Sequence, residues 1–149
     1  MKYKKFSFSE SKSRCINYRK RILDISQTVT AMHAAGAFSA LEMVDTIYFG
    51  LMRKNYKGKY KDTFLMSKGH GCMSQYVVLE KLGILPKKYL NNYCTVNGKL
   101  GCHPDYGIPG IEASTGSLGH GMGLAVGMAH ADFINKSDCK LFLMISDGE

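Results

Sequence analysis

The chain has 149 residues, 45% of them apolar, which gives room for one domain with a sizeable core and lies well above the disordered range. No apolar run approaches the roughly 18–20 residues of a bilayer span, the basic start MKYKKFSFSE has no secretory apolar segment, and five irregularly spaced cysteines suit a reducing compartment, so a cytoplasmic protein without a membrane partner is expected. The net charge is +8, with thirteen Lys and Arg among residues 1–61 and only two among residues 100–149; no basic recognition helix or stacking-aromatic motif accompanies it, so it reads as a solvated surface and not as a nucleic-acid footprint.

Residues 1–13 read as a basic N-terminal arm, and residues 14–149 as a domain of alternating helices and strands. In SRCINYRKRILDISQTVTAMH, the residues Cys15, Tyr18, Ile22, Ile25, Val29 and Met32 recur at steps of three and four, one face of a helix. Ser39 and Glu42 have capping-box spacing, which predicts a second helix over about residues 40–52. TFLMS (Thr63 to Ser67) is a short strand ending at the polar KGHG. A helix over about residues 72–82 follows, closed by Gly83 at C′. Pro86 suits the first turn of a short helix through about Tyr93, and Asn97-Gly98 marks a turn.

The texture then changes: nine of the sixteen glycines fall between Gly98 and Gly127. Residues 124–134 read as a helix tightly packed through Ala125, Gly127, Ala129 and Ala131. Leu141 to Ile145 is an unalternating apolar run, as in a parallel strand covered on both faces. Strands alternating with helices predict an α/β fold, a parallel sheet flanked by helices. Ligands in such sheets sit at the carboxyl ends of the strands, where Asp147 falls. Asp147-Gly148 presents one carboxylate and a permissive backbone there, which suits Mg²⁺ bridging to a diphosphate; taken alone, the pair is a common turn. Cys94, Cys102 and His103 lack the short Cys-x-x-Cys pairing of structural zinc, so no zinc site is expected.

Four blocks in order, AMHAAGAFSALEM, FLMSKGHG, HPDYGIPGIEASTGSLGHGMGLAVGMAHA and SDGE, resemble the N-terminal thiamine-diphosphate-binding half of the transketolase family, and the Gly-Ser-Leu-Gly-His-Gly form is similar to its small split-subunit members. The resemblance covers about residues 14–149. It implies a partial thiamine-diphosphate-binding fold, transfer of a two-carbon ketol unit between sugar phosphates, and thiamine diphosphate with Mg²⁺ or another divalent cation as cofactors. It implies that Asp147 binds the metal, that Gly148 lies against the diphosphate, and that Gly116, Ser117 and Leu118 support the aminopyrimidine. It implies that His70 reaches the cofactor and that His33 and His103 line the sugar entrance, while His120 and His130 are structural. Read without it, His33 could be a packed or capping residue, His70 and His103 exposed loop histidines, and the glycines at 116, 119, 121 and 123 aids to close packing.

Two departures from the family pattern stand out: Ser146 where Gly is usual, and Ala34 and Ala35 after His33 where one of the usual glycines is lacking. The resemblance further implies a continuation beyond Glu149 with a second metal ligand, a C-terminal half or separate subunit, assembly as a homodimer or heterotetramer, and inactivity of this segment alone. Other readings are part of an E1-type dehydrogenase or deoxyxylulose-phosphate synthase, against which the Ser-Lys-Gly-His and His-Pro blocks argue, and a non-catalytic remnant or interaction module.

Overall fold

The structure, a computed structural model, describes residues 6–29 and 31–149. Helix α1 spans Phe8–Ser26, ahead of the expected start, because Ser7 accepts the backbone N–H of Glu10 and caps it. The boundary expected between arm and domain at residues 13 and 14 therefore falls inside this helix, and residues 1–5 lie outside the described residues. The three-and-four spacing holds: Cys15, Tyr18, Ile22 and Ile25 are all buried. The helix stops at Ser26, short of His33. There the hydroxyls of Ser26 and Thr28 turn back onto the carbonyls of Leu23 and Ile25, competing with the helical ladder. Val29 and Met32 still pack against the core from beyond the helix.

Helix α2 spans Ala34–Thr46 and continues through a π-helical turn, Ile47–Leu51. The expected capping box does not form, because the helix has already begun before Ser39. The Ser39 hydroxyl donates to the carbonyl of Gly36, and Glu42 pairs instead with Arg19 at 2.6 Å. α1 and α2 are joined by one buried charge. Asp45 is fully buried and accepts from Arg14 Nε (2.7 Å), Arg14 Nη2 (2.8 Å), Ser11 Oγ (2.7 Å) and the Tyr18 hydroxyl (3.3 Å). Burial, then the neighbouring Asp45, pushes the Tyr18 phenol up, so it stays a donor.

Strand β1 (Thr63–Met66) and strand β2 (Leu141–Met144) pair in parallel, Thr63 opposite Leu141 through Met66 opposite Met144. The chain between them forms helix α3 (Cys72–Lys81), the short helix α4 (Lys87–Asn91) and helix α5 (His120–Ile134). α3 ends as expected: Gly83 (φ +71°) donates to Glu80 O and Ile84 to Leu79 O, the two bonds of a Schellman motif. Pro86 sits at the N-cap of α4, just before its first turn. The core joins α1, α2 and α3 to one face of β1 through Ile22, Leu41, Val44, Phe64, Met73 and Tyr76. Leu65 is buried apart from that cluster, and α5 packs on the sheet. The result is the expected α/β fold, a parallel sheet flanked by helices.

Two expectations about the last third are corrected. β2 is not covered on both faces: Leu141, Phe142 and Leu143 are half-buried and Met144 alone is buried. Its one partner among the described residues is β1, and α5 covers it incompletely. α5 begins at His120 and packs through Gly121 and Ala125, not through Gly127, Ala129 and Ala131, which are exposed. A methyl group on Gly127 would meet nothing within 4 Å, whereas one on Gly121 would lie 2.4 Å from Ser67 Cβ. The helix therefore approaches the sheet at its first turns, and Val126, Phe133 and Ile134 point outward.

The Asp45 junction and the Arg19–Glu42 pair join the same two helices in opposite environments. Asp45→Ala should lower unfolding free energy by about 3–5 kcal/mol, since it strands a guanidinium that is largely removed from water. Glu42→Ala should cost no more than about 1 kcal/mol. Urea unfolding of both variants measures the difference, and equal losses would refute the assignment of Asp45 as the junction.

Candidate functional site

The site grows from the carboxyl ends of the two strands. Ser67 N–H donates to Met144 O (2.8 Å) and Lys68 N–H approaches the same carbonyl at 3.3 Å, so β1 turns immediately into the single 3₁₀ turn Gly69–Gly71 that carries His70. A methyl group on Gly36 would fall 2.7 Å from His70 Cδ2. Gly36 thus lets the start of α2 close on this turn, and it brings His33, the residue at the α2 N-cap, to the same place. His33 makes no capping hydrogen bond with its side chain.

The third segment at the site is held by α3. Cys72 Sγ donates to the carbonyl of Cys102 (3.2 Å), and the Tyr76 hydroxyl donates to the carbonyl of His103 (3.0 Å). These residues are one helical turn apart and reach consecutive carbonyls. Burial pushes the Cys72 thiol up to about 12 and also raises the Tyr76 phenol, so both remain protonated donors near neutrality. Thr115 then ties the far end of this segment to β1, its hydroxyl donating to Met66 O at 2.6 Å. Gly69 lies directly on Gly116: a methyl group there would sit 2.8 Å from Gly116 Cα and N.

Three imidazoles converge as a result. The His33 ring is 6.1 Å from that of His70 and 5.4 Å from that of His103, centroid to centroid. His33 is exposed and the other two are half-buried. Burial, then the charge of Lys68, holds His70 below the usual imidazole range, which favours its neutral form. Gly116 backs onto the His103 ring, with a methyl group there only 3.1 Å from His103 Cγ. Ser117 and Leu118 are exposed on the short link into α5. Neither His120 nor His130 joins the cluster; both are exposed on α5.

Asp147 and Gly148 lie at the exposed carboxyl end of β2. Asp147 makes no side-chain hydrogen bond or ion pair among the described residues. This loop is fastened by Glu149, a residue to which the sequence motifs assign no role. Glu149 Oε1 accepts from Ser67 Oγ (2.5 Å) and Gly119 N–H (2.9 Å), and Oε2 accepts from Ser146 N–H (2.7 Å). One carboxylate thus joins the ends of both strands to the start of α5. No local sequence signal marks it, because two of its three partners are remote in the chain. Cys102, which its spacing set aside as a structural zinc ligand, places its Sγ 3.4 Å from His103 Nδ1.

The family profile "Transketolase, thiamine diphosphate binding domain" matches residues 11–142. An apulose-4-phosphate transketolase subunit from Phocaeicola vulgatus is 37% identical over 134 residues, 88% of this chain and 48% of that protein. The subunit of the same name from Actinobacillus succinogenes is 32% identical over 148 residues, 96% of this chain and 54% of its own length. The chain thus spans about half the length of these two relatives. The solved structure of transketolase from Leishmania mexicana superposes with a TM-score of 0.79 at 27% identity, covering 96% of this chain and 23% of that one.

The Glu149 bridge makes a pH prediction. Burial alone would raise its carboxyl, but the hydrogen bonds from Ser67, Gly119 and Ser146 outweigh this and hold it below the ordinary 4.5. With a lowered folded-state pKa, the stabilisation is complete above the usual glutamate range and is lost as pH falls through the lowered value. Amide exchange at Gly119 should lose protection by about tenfold in Glu149→Ala, and the wild type should lose the same protection on acidification below about pH 4.5. Unchanged protection in both experiments would contradict the bridge.

Proposed function

The chain belongs to the transketolase family through its thiamine-diphosphate-binding domain, and from that premise we propose that it is the cofactor-side part of an enzyme that transfers a two-carbon ketol unit between sugar phosphates. The observation that carries this reading is the convergence of His33, His70 and His103 beside the strand ends from which Asp147 emerges.

The residues present suit thiamine diphosphate with Mg²⁺. Asp147 offers a carboxylate with no protein partner among the described residues, and Mg²⁺ takes one or two protein oxygens together with phosphate oxygens and water. Gly148 faces open space, leaving room for a diphosphate. In this reading Asp147 holds the metal, Gly148 lies against the diphosphate, and the backbone of Gly116, Ser117 and Leu118 supports the aminopyrimidine. Bound thiamine diphosphate supplies the stabilisation of carbanion character at the reacting carbon.

The chain's own work is to bind, orient and move protons. His70, whose neutral form is favoured by burial and then by Lys68, has in that form one ring nitrogen to donate and one to accept, and it reaches the cofactor. His33 and His103 hydrogen-bond the sugar's hydroxyls and carbonyl oxygen, with His103 anchored from behind through its own carbonyl by Tyr76. Fixed donors aimed at an oxygen that gains charge are a main source of rate enhancement. A C-terminal transketolase half or separate subunit completes the enzyme, in a homodimer or a heterotetramer. Support for such a partner comes from two relatives that are themselves transketolase subunits and from the apolar residues that α5 leaves exposed.

Two substitutions separate the assigned roles, assayed with the partner half supplied. Asp147→Ala should abolish Mg²⁺-dependent binding of thiamine diphosphate, read by titration calorimetry. His103→Ala should retain cofactor affinity and lower ketol transfer about a hundredfold, equivalent to about 3 kcal/mol of lost transition-state stabilisation. If His103→Ala lost the cofactor and kept full turnover at saturating cofactor, the assignment of the histidines to the sugar would fall.

A further inference from the structure

We propose that His33, Cys102 and His103 form a second metal site, one for a zinc-like divalent cation, at the mouth of the histidine cluster. One ligand atom from each of the three lies within 4.8 Å of the others. In a tetrahedral zinc site with bonds of about 2.0–2.3 Å, ligand atoms stand roughly 3.5 Å apart. Cys102 Sγ and His103 Nδ1, at 3.4 Å, already have that separation. The remaining closure, roughly 1 Å, falls to His33, which is exposed and already in ring contact with His103 at 5.4 Å.

The ligand-bearing backbone is fixed before any ion arrives. The carbonyls of Cys102 and His103 are held by Cys72 and Tyr76 from within α3, and His33 is set by the start of α2 where it closes on the His70 turn. The donor set is one thiolate and two imidazoles with no carboxylate, which favours zinc and its soft or borderline neighbours over Mg²⁺ or Ca²⁺. It is therefore chemically distinct from an oxygen site at Asp147. Three protein ligands leave a fourth position open to water or another small ligand. Binding requires neutral imidazoles and a thiolate, so it releases protons to solvent and strengthens as pH rises. The sequence pattern concealed the site, because Cys102 and His103 are adjacent in the chain while the third ligand stands at the start of α2.

The consequence for activity rests on the proposed function: an ion here would occupy the two imidazoles given to the sugar, making zinc an inhibitor. The binding itself is tested without that reading. Untagged chain is titrated with Zn²⁺ by calorimetry in buffers of different ionisation enthalpy, and with Co²⁺ by absorption spectroscopy. One equivalent of ion, net release of protons and a thiolate-to-cobalt charge-transfer band are expected. Cys102→Ser and His33→Asn should each weaken binding at least tenfold, since loss of even an outer-shell partner costs about 10–100-fold. Cys139→Ser and His120→Ala should bind as the wild type does. His33→Asn alters an exposed position, so its reading stands even if Cys102→Ser disturbs the loop. Wild-type affinity in both ligand variants, or a cobalt spectrum without the thiolate band, would overturn the site. In the assembled enzyme, Zn²⁺ should inhibit turnover, and Cys102→Ser should raise the Zn²⁺ concentration needed for half-inhibition. Retained metal binding without inhibition would instead count against the sugar-facing role of the histidines.

Discussion

The parallel pairing of Thr63–Met66 with Leu141–Met144 is the interaction on which the site hangs. It sets two strand ends side by side, and each loop of the site is then fastened to one of them. The carbonyl of Met144 receives the chain as it leaves β1, and the carbonyl of Met66 receives Thr115 from the glycine-rich segment. Ser67 meets both the first turn of α5, through Gly121, and the carboxylate of Glu149. Backbone groups at a strand end must find partners when water is excluded. Here those partners come from loops that carry candidate site residues, so satisfying the backbone also brings the candidate site together.

A second support lies behind the loops. α3 is buried along almost its whole length, yet it carries polar atoms, and these are aimed. Cys72 and Tyr76 take the carbonyls of Cys102 and His103, and Gln75 takes that of Gly110 at 3.2 Å while also donating to the Tyr48 hydroxyl at 3.0 Å. A buried polar group that lacks its partner costs about 1–3 kcal/mol. The loop is thereby held to one path over the helix, and His103 is held with it. Side chains carried on a loop held in this way have a defined position.

Much of this is legible in the sequence where local pattern and physical cause coincide. The apolar period of α1, the C′ glycine of α3 and the short strand before Ser67 each need only neighbouring residues to be recognised. The convergence of His33, His70 and His103 is legible only through the ordered blocks, because no spacing rule links residues that far apart. Three features stay hidden for identifiable reasons. Ser39 and Glu42 match a capping box, but the helix already starts at Ala34, so Ser39 lies inside it and the pattern cannot operate. The apolar run of β2 reads as covered on both faces and α5 as packed through all its small residues, yet among the described residues β2 is only half-buried up to Met144 and α5 packs through Gly121 and Ala125 alone. Glu149 follows a turn motif in the sequence, and only the fold brings it to Ser67 and Gly119.

The charge distribution takes its meaning from the same geometry. All four arginines of the sequence lie in its basic first half, and each is engaged with a carboxylate: Arg14 with Asp45, Arg19 with Glu42, Arg21 with Glu80, and Arg53 with Asp62 and Asp138. The Arg53–Asp62 pair also ties the approach to β1 to that of β2, since Asp62 accepts the N–H of Lys140. Guanidinium groups suited to gripping an external phosphate are thus committed to joining elements of the fold. Lys68 is different. It is buried beside His70, with its Nζ on the Ser39 hydroxyl at 3.2 Å and no carboxylate pair among the described residues. A buried cation without a counter-charge is costly, and its field depresses the protonation of the imidazole next to it. Local positive charge at the strand ends therefore comes from a lysine fixed by the fold, and it adds to burial, the larger cause, in favouring the neutral form of His70.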